Sequence, residues 1–228
     1  YLPKHVEAVH ISKNSTCFLR SDEQHIRHKL SPTVLFVYRQ FSSFVKMDFE
    51  ILKKNYTLHS IRVTKNVPKV IVDFLVYTPN SDVIFVWFAG AQALLSALFA
   101  KIFRKKVIVV AGGYDAAYLP EISYGAFTCW WRRLMAKCIF KNADLVLAVS
   151  NNTRKEVLQH LTPKKIEVVY NGIDVNKFTP KGKKEKLVLT VGVVDMSNLK
   201  RKGLETFVKA AKYLPETKFV LVGEQKDE

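Results

Sequence analysis

Residues 167–180 read EVVYNGIDVNKFTP, and residues 187–223 read LVLTVGVVDMSNLKRKGLETFVKAAKYLPETKFVLVG. The first stretch predicts a strand that runs into a turn, and the second predicts a new strand–loop–helix–strand unit. That unit begins with strand Leu187–Val191, ends the strand at Gly192, and reaches a helix that starts at Gly203. Because a helix start offers free backbone N–H groups and a partial positive charge, the segment predicts a phosphate-binding site.

Three basic residues, Lys200, Arg201 and Lys202, stand in the predicted loop before that helix. A basic run is commonly a solvated surface, but the preceding strand and its terminal glycine favour a ligand contact here. We expect one of the three to pair with a diphosphate oxygen, while the others face the solvent.

Upstream of this unit, short apolar runs alternate with amphipathic segments. Strands are predicted near residues 33–38, 58–63, 83–88, 107–111, 145–149 and 166–170, and helices near 44–54, 67–77, 91–104, 125–141 and 152–159. This alternation predicts right-handed crossovers and a parallel sheet covered on both faces. The uncharged segment 83–100 is interpreted as a buried strand followed by a buried helix rather than a membrane span, because β-branched and aromatic residues give way to Ala and Leu midway.

The chain is predicted to have four parts. Residues 1–31 show little periodicity and stay unassigned, and residues 32–175 form an N-terminal Rossmann-like domain. Residues 176–186, with Pro, Gly and five lysines, form a linker, and residues 187–228 begin a second Rossmann-like domain. The chain starts with Tyr and ends one strand into a repeating α/β unit, so we interpret it as a fragment of a longer protein.

The composition restricts the classes of partner that the protein is expected to bind. The formal net charge is +16, from 36 Lys and Arg against 20 Asp and Glu. This charge is compatible with a solvated basic surface, an anionic small ligand, an anionic membrane or nucleic acid, but no zinc-finger, RNP-type or homeodomain pattern supports nucleic acid. The three cysteines form no C-x-x-C pair, which favours a reducing cytosol and disfavours a metal site.

Ligands of open parallel sheets bind beyond the C-terminal ends of the strands. The residues that follow the predicted strands there are Arg39, Gln40, Ser42, Ser43, Gly90, Gly112, Gly113, Tyr114, Asp115, Ser150, Asn151, Asn171, Gly172 and Asp174. Asp115 either accepts a proton or binds a substrate hydroxyl, or it only caps a turn. The glycines at 112 and 113 either admit a ligand to the backbone or turn the chain, and the Asn171–Asp174 turn is either a hinge or a ligand contact.

The predicted helix 125–141 carries the sequence Trp130-Trp131-Arg132-Arg133. Tryptophan beside arginine is typical of an anchor in a lipid headgroup layer. The alternative, which we favour at this point, places one Trp in the core and the other as a cap on the surface.

Five segments, in this order, resemble one known family: DVIFVWFAG, KVIVVAGGYD, KNADLVLAVSNNTRKEV, KIEVVYNGIDVNKFTP and the stretch 187–223. Over residues 33–228 the chain resembles the retaining, nucleotide-sugar-dependent glycosyltransferases called glycosyl transferase group 1. The resemblance implies an α/β fold of GT-B type, with one complete Rossmann-like parallel-sheet domain on the acceptor side and the start of a second, donor-binding one. It also implies transfer of a sugar from a nucleoside diphosphate-sugar to a hydroxyl acceptor, with retention, in glycan or glycolipid synthesis.

The resemblance assigns roles on the donor side. Lys202 matches the lysine that binds the donor diphosphate, and Gly192 matches the glycine of the preceding V-G element. Val193 stands where many members have a second diphosphate-binding arginine, so Lys200 or Arg201 is expected to substitute for it.

Further roles follow from the same resemblance. Gly223 and Glu224 match the start of the loop near the nucleotide base. Tyr114 or Asp115 falls where many members have a histidine in the catalytic cleft. The family's E-x7-E element would lie beyond Glu228, so the chain alone is expected to be inactive.

The predicted partners are a nucleotide-sugar donor and a carbohydrate or lipid-linked acceptor, with no nucleic acid, no metal and no separate cofactor. The expected location is the cytoplasm, with a peripheral contact at the inner face of a membrane. Two alternatives stay open: a GT-B nucleotide-sugar epimerase, and a non-catalytic Rossmann-like binding protein.

Overall fold

The computed structural model describes residues 32–179 and 182–224. The expectations for residues 1–31, for positions 180–181 of the linker, and for residues 225–228 lie outside this part of the chain. The boundaries of the proposed domains therefore stay predictions.

Six parallel strands build the main sheet. They are β1 (Thr33–Tyr38), β2 (Thr57–Arg62), β3 (Val83–Trp87), β4 (Lys106–Ala111), β5 (Leu145–Ala148) and β6 (Ile166–Val168), and their spatial order is β2-β1-β3-β4-β5-β6. The register places Phe36 of β1 between Ser60 of β2 and Phe85 of β3. All six predicted strands are confirmed, and the predicted bounds are within two residues of the observed ones.

Five helices connect these strands: α1 (Ser43–Asn55), α2 (Val67–Tyr77), α3 (Ala91–Phe103), α4 (Trp130–Asn142) and α5 (Asn151–His160). Helix α1 packs through Val45 against the sheet face that carries Val34 and Phe36. The helices α2 to α5 pack on the opposite face, where Leu35 and Val37 point. Because alternate residues of a strand point to opposite faces, the continuous apolar run of β1 serves both layers of the core.

The segment 83–100 divides into β3 and α3, which confirms its interpretation as a strand followed by a helix. Stacking of Phe74 of α2 on Phe99 of α3, with ring centroids 4.9 Å apart, joins two helices of the same layer. Within residues 32–179 and 182–224, no helix has the length and apolarity that crossing a membrane requires.

The predicted start of the fourth helix at residue 125 is wrong. Gly125 has a φ of +107°, a short 3₁₀ turn follows at Ala126–Thr128, and helix α4 begins only at Trp130. The expectation for the two tryptophans is wrong as well, because Trp130 is 74% exposed and Trp131 is 48% exposed, so neither is in the core.

A second, two-stranded parallel sheet follows. It comprises β7 (Leu187–Val191) and β8 (Lys218–Val222), with Val188 beside Phe219, and two helices lie between the strands: α6 (Met196–Arg201) and α7 (Leu204–Ala211). The sequence predicted a loop at residues 200 and 201, whereas the structure places Lys200 and Arg201 in α6. Asp195 stabilises the start of this helix, because its side chain accepts a hydrogen bond of 2.7 Å from the backbone N–H of Asn198.

Gly203 separates α6 from α7 and has a φ of +65°. We expect Gly203→Ala to lower the free energy of unfolding by about 1 kcal/mol, because an L-residue disfavours left-handed backbone. Chemical denaturation of the full-length protein would measure the loss.

Gly182→Ala is the matched control, since Gly182 has a φ of +83° and an added Cβ at either position would meet no described atom within 4 Å. Both variants should lose similar stability, but only Gly203→Ala should also weaken binding of nucleoside diphosphates, because Lys202 is its neighbour. Equal binding by the two variants would argue against Lys202 as a ligand.

Candidate functional site

Asp115 lies at the end of β4 and is 4% exposed. One carboxylate oxygen accepts a hydrogen bond of 3.0 Å from the backbone N–H of Ala89, and the other accepts one of 3.0 Å from Gly113. The side chain thus joins the loop after β3 to the loop after β4. Burial raises the pKa of Asp115 to about 6, although the backbone N–H groups of Ala89 and Gly113 act in the opposite direction.

Phe88, next to the loops that Asp115 joins, has an unusual backbone conformation with a φ of +67°. Positive φ at a non-glycine residue is strained and is found where surrounding contacts hold it. The side-chain amide of Gln92 donates to the backbone oxygens of Trp87, at 2.8 Å, and Phe88, at 3.2 Å. An added Cβ at Gly112 would lie 2.2 Å from the Phe88 ring, so the glycine at this position makes room for the phenyl group.

A cleft of about 590 Å³ opens above these residues. It is lined by the loops after β1, β3 and β4 and by the start of α4, including the predicted residues Arg39, Gln40, Gly90, Tyr114 and Asp115. The structure therefore brings together some of the predicted residues that follow the first, third and fourth strands, whereas Ser42, Ser43, Gly112 and Gly113 are not among the lining residues. Trp131 and Arg132 form another wall of the same cleft.

The predicted residues that follow β5 and β6 lie elsewhere. Ser150 caps α5 by accepting a hydrogen bond of 3.0 Å from the N–H of Thr153, and Asn151 donates to the Tyr170 hydroxyl at 2.8 Å. Asp174 accepts a bond of 3.1 Å from the N–H of Asn176, which is a local turn contact. Asn171, Gly172 and Asp174 are exposed, and a ligand role for these residues and for Ser150 stays a prediction.

Tyr114 connects the cleft to the second sheet. Its hydroxyl accepts a hydrogen bond of 2.9 Å from Arg132, and its ring meets Tyr124 edge-on at a centroid distance of 5.2 Å. The guanidinium of Arg201 lies 4.6 Å from the centroid of the Tyr124 ring, within cation–π range. Residues predicted for the catalytic cleft and for the diphosphate site are thus linked through Tyr124.

The predicted diphosphate residues meet where β7 and β8 end. An added Cβ at Gly192 would lie 3.1 Å from Cδ of Lys202 and 3.7 Å from its Nζ, so the lysine side chain lies over the Gly192 backbone. A Cβ at Gly223 would lie 1.8 Å from the carbonyl oxygen of Gly192. The carbonyl of Glu224 accepts a hydrogen bond of 2.9 Å from Val194. The two strand ends therefore approach closely: Gly223 leaves room for the Gly192 backbone, and Gly192 leaves room for the Lys202 side chain.

The two other basic residues differ from Lys202. Arg201 donates from Nε to the side-chain oxygen of Asn198 at 3.1 Å, in addition to its contact with Tyr124. Lys200 lies on α6, and all three basic residues are exposed. Of the three, Lys202 is the one whose side chain lies beside the Gly192 backbone, which favours it as the diphosphate ligand.

Sequence reasoning missed Asp48. This residue of α1 accepts a hydrogen bond of 3.1 Å from the indole N–H of Trp87, and burial raises its pKa to about 6, opposed in part by that hydrogen bond. The partners are 39 positions apart, so no local pattern signals the pair. Gln92, Phe88 and Tyr124 were missed as well.

A parallel sheet of six strands, followed by a second α/β unit, matches the GT-B architecture. The chain belongs to Glycosyltransferase Family 4, whose model matches residues 45–177, more than half of the chain. The resemblance to glycosyl transferase group 1 enzymes is thereby confirmed at the level of the family.

Two curated relatives support this assignment. An uncharacterized glycosyltransferase of Methanocaldococcus jannaschii is 29% identical over 134 residues, covering 55% of this chain and 34% of the relative. The second relative is the N-acetylgalactosamine-N,N'-diacetylbacillosaminyl-diphospho-undecaprenol 4-alpha-N-acetylgalactosaminyltransferase of Campylobacter jejuni. It is 28% identical over 138 residues, covering 56% of this chain and 36% of the relative. The matched region thus spans about a third of each relative's length.

Solved structures show the fold. HepE of Anabaena, in complex with UDP, matches with a TM-score of 0.57 at 14% identity, over 85% of this chain and 61% of HepE. MnaA of S. aureus, also in complex with UDP, matches with a TM-score of 0.53 at 12% identity, over 86% of this chain and 63% of MnaA. At this identity the likeness supports the architecture and no more.

Proposed function

We propose that the full-length protein transfers a sugar from a nucleoside diphosphate-sugar to a hydroxyl acceptor. The observation that carries this proposal is the junction of Gly192, Lys202 and Gly223, in a chain that belongs to Glycosyltransferase Family 4. At this junction the Lys202 side chain lies beside the end of β7, and Lys202 is close in sequence to the start of α7.

The donor side of the proposal rests on charge. The Lys202 ammonium and the backbone N–H groups at the start of α7 offer positive charge to the diphosphate oxygens. These groups would also stabilise the negative charge that develops on the departing diphosphate, which is the main electrostatic task in such a transfer. Because HepE and MnaA were both solved with UDP, UDP-sugars are the first donors to test.

The acceptor side of the proposal rests on the cleft beside Asp115. Tyr114 is 41% exposed there and its hydroxyl accepts a hydrogen bond from Arg132, which supports the proposal that Tyr114 contacts an acceptor hydroxyl. Asp115 is proposed to hold the cleft loops or to accept a proton. The Campylobacter relative is named for an acceptor linked to diphospho-undecaprenol, so a lipid-linked acceptor is included in the proposal.

We further propose that the transfer proceeds with retention, with the acceptor on the same face of the sugar as the departing diphosphate. The proposal includes no separate cofactor. The linker 176–186 is proposed as the boundary between the acceptor-side and donor-binding domains, because its described residues carry exposed lysines and no strand or α-helix.

The proposal is tested by titrating the full-length protein with UDP-, GDP- and ADP-linked sugars in a calorimeter. Binding of one donor class, followed by transfer to a lipid-linked or oligosaccharide acceptor, is the expected result. NMR of the new anomeric centre would report retention or inversion. Conversion of the nucleotide-sugar to its epimer without an acceptor would establish the epimerase alternative, and no affinity for any of the donors would reject both enzymes.

A further inference from the structure

Helix α3 presents an apolar stripe to the solvent. Leu94, Leu98 and Ile102 recur every four residues on one side of the helix, and their exposed fractions are 42%, 53% and 59%. The other side of α3 is occupied by Ala93, Phe99 and further buried residues that pack on the sheet. Exposed leucines scattered singly need no explanation, but a stripe of this length indicates an interaction surface.

Helix α4 extends this surface. Trp130, Leu134 and Cys138 recur at the same four-residue spacing and are all exposed. Cys138 lines one groove of about 580 Å³ together with Leu94 and Leu98, so the stripes of the two helices are adjacent. We call the surface formed by these two stripes the α3/α4 face.

The charged side chains of α3 and α4 are all basic. The sequences of α3 and α4 contain no Asp or Glu. Seven basic residues lie on these helices and on the turn that follows α3: Lys101, Arg104, Lys105, Arg132, Arg133, Lys137 and Lys141. The acid of the groove, Asp144, is already paired with Lys106 at 3.3 Å and with Lys164 at 3.4 Å. Apolar side chains bordered by uncompensated basic groups complement an anionic lipid surface.

The α3/α4 face is continuous with the candidate site. Trp131, next to Trp130 on α4, lines the cleft that contains Asp115, and so does Arg132. Indole side chains favour the headgroup layer of a bilayer because they have both an apolar ring and a polar N–H. A bilayer in contact with this face would therefore lie at the mouth of the cleft.

We propose that the α3/α4 face is a peripheral docking surface for anionic membranes, in which the apolar stripes enter the headgroup region and the flanking Lys and Arg residues bind lipid phosphates. This inference rests on exposure and charge alone, so it holds whether or not the proposed transferase activity is correct. It also explains why two large aromatic side chains are left exposed at the start of α4.

The first test is sedimentation of the full-length protein with vesicles in the absence of any sugar donor. We expect binding to vesicles of equal parts phosphatidylcholine and phosphatidylglycerol, and much weaker binding to pure phosphatidylcholine. Neutralising three basic residues with Lys101→Gln, Arg104→Gln and Lys105→Gln should lower the partition coefficient on the order of a hundred-fold, at about 1 kcal/mol per basic residue near an anionic surface. The matched control removes three exposed lysines of the linker with Lys183→Gln, Lys184→Gln and Lys186→Gln.

A second pair of variants tests the apolar stripe. Leu98→Ser with Ile102→Ser should lower the partition coefficient at least about ten-fold, because burial of each CH₂ group contributes about 0.8 kcal/mol. Val208→Ser with Leu214→Ser is the control, since these side chains are 59% and 51% exposed and lie in or near α7. All four substitutions are at exposed positions, so the fold should be kept, and circular dichroism checks this.

Tryptophan fluorescence gives a further readout. Residues 1–228 contain three tryptophans, of which Trp87 is buried, so a blue shift on addition of anionic vesicles that Trp130→Phe with Trp131→Phe abolishes reports on Trp130 and Trp131. Absence of the shift, or a linker variant that loses binding as much as the Lys101 variant, would overturn the proposal. So would self-association of the protein that is lost in the Leu98 variant, because the face would then bind a second copy.

Discussion

In the full-length protein, Lys202→Ala is expected to weaken binding of nucleoside diphosphates about ten- to a hundred-fold, because a hydrogen bond to a charged group contributes roughly 1.5–3 kcal/mol. Lys202 is the basic residue whose side chain lies over the Gly192 backbone at the end of β7. Isothermal titration with UDP and GDP measures the change, and titration with uridine should show little difference, since uridine lacks the phosphates.

Lys200→Ala is the control for Lys202→Ala. It removes an exposed lysine from the neighbouring helix and changes the net charge by the same amount. If both variants lose affinity equally, the effect is one of general charge. If the Lys202 variant binds UDP and GDP as tightly as the unaltered protein, Lys202 has no role in donor binding and the donor side of the proposal fails.

Asp115→Ala is expected to lower the free energy of unfolding by about 2–5 kcal/mol near pH 5, because it leaves the buried N–H groups of Ala89 and Gly113 without their acceptor. The Asp115 side chain would then no longer join the loops after β3 and β4, so transfer activity should fall together with stability. Denaturation of the purified variant at pH 5 and at pH 8 measures the effect.

The size of this loss should depend on pH. Burial raises the pKa of Asp115 from the ordinary 3.8 to about 6, so the folded protein binds this proton more tightly than the unfolded chain. The contribution of Asp115 to stability is therefore fully present below about pH 4 and declines as the pH rises through about 6. The difference between the unaltered protein and Asp115→Ala should be smaller at pH 8 than at pH 5.

Asp115→Asn separates the structural role from the catalytic one. The amide keeps one acceptor and does not titrate, so we expect an intermediate stability without the pH dependence of the carboxyl. Loss of transfer in a variant whose stability is unchanged at both pH values would favour Asp115 as the proton acceptor. A parallel decline of stability and transfer would favour its role in holding the loops.

The strands β1 and β4 were predictable because each is a short apolar run, followed by Arg39 and by Gly112. Helix α6 was not predicted, since MSNLKR is six residues long and shows no apolar periodicity, and the contact that stabilises it is a cap from Asp195. The start of α4 was misplaced because the conformation of Gly125 depends on tertiary packing. An added Cβ there would lie 2.0 Å from the carbonyl oxygen of Ala117.

The candidate site was predicted only in part. The strand-end rule needs only the topology, and Tyr114 and Asp115 line one cleft, while their roles there stay predictions. The rule did not predict what Asp115 does there, because its partner Ala89 lies 26 positions earlier in the chain. It also assigned the residues after β5 and β6 to the cleft, whereas local hydrogen bonds hold Ser150 and Asp174 elsewhere.

The strand order has a consequence for how the protein acquires its structure. β1 lies between β2 and β3, and the register pairs Val34 with Leu58 on one side and Val83 on the other. During synthesis β1 therefore emerges before either neighbour, and although β2 follows soon after it, the edge of β1 that pairs with β3 stays open until about fifty further residues have been added. Parallel pairings between such distant segments form slowly, so nascent chains should depend on chaperones over this interval more than after β4 has been made.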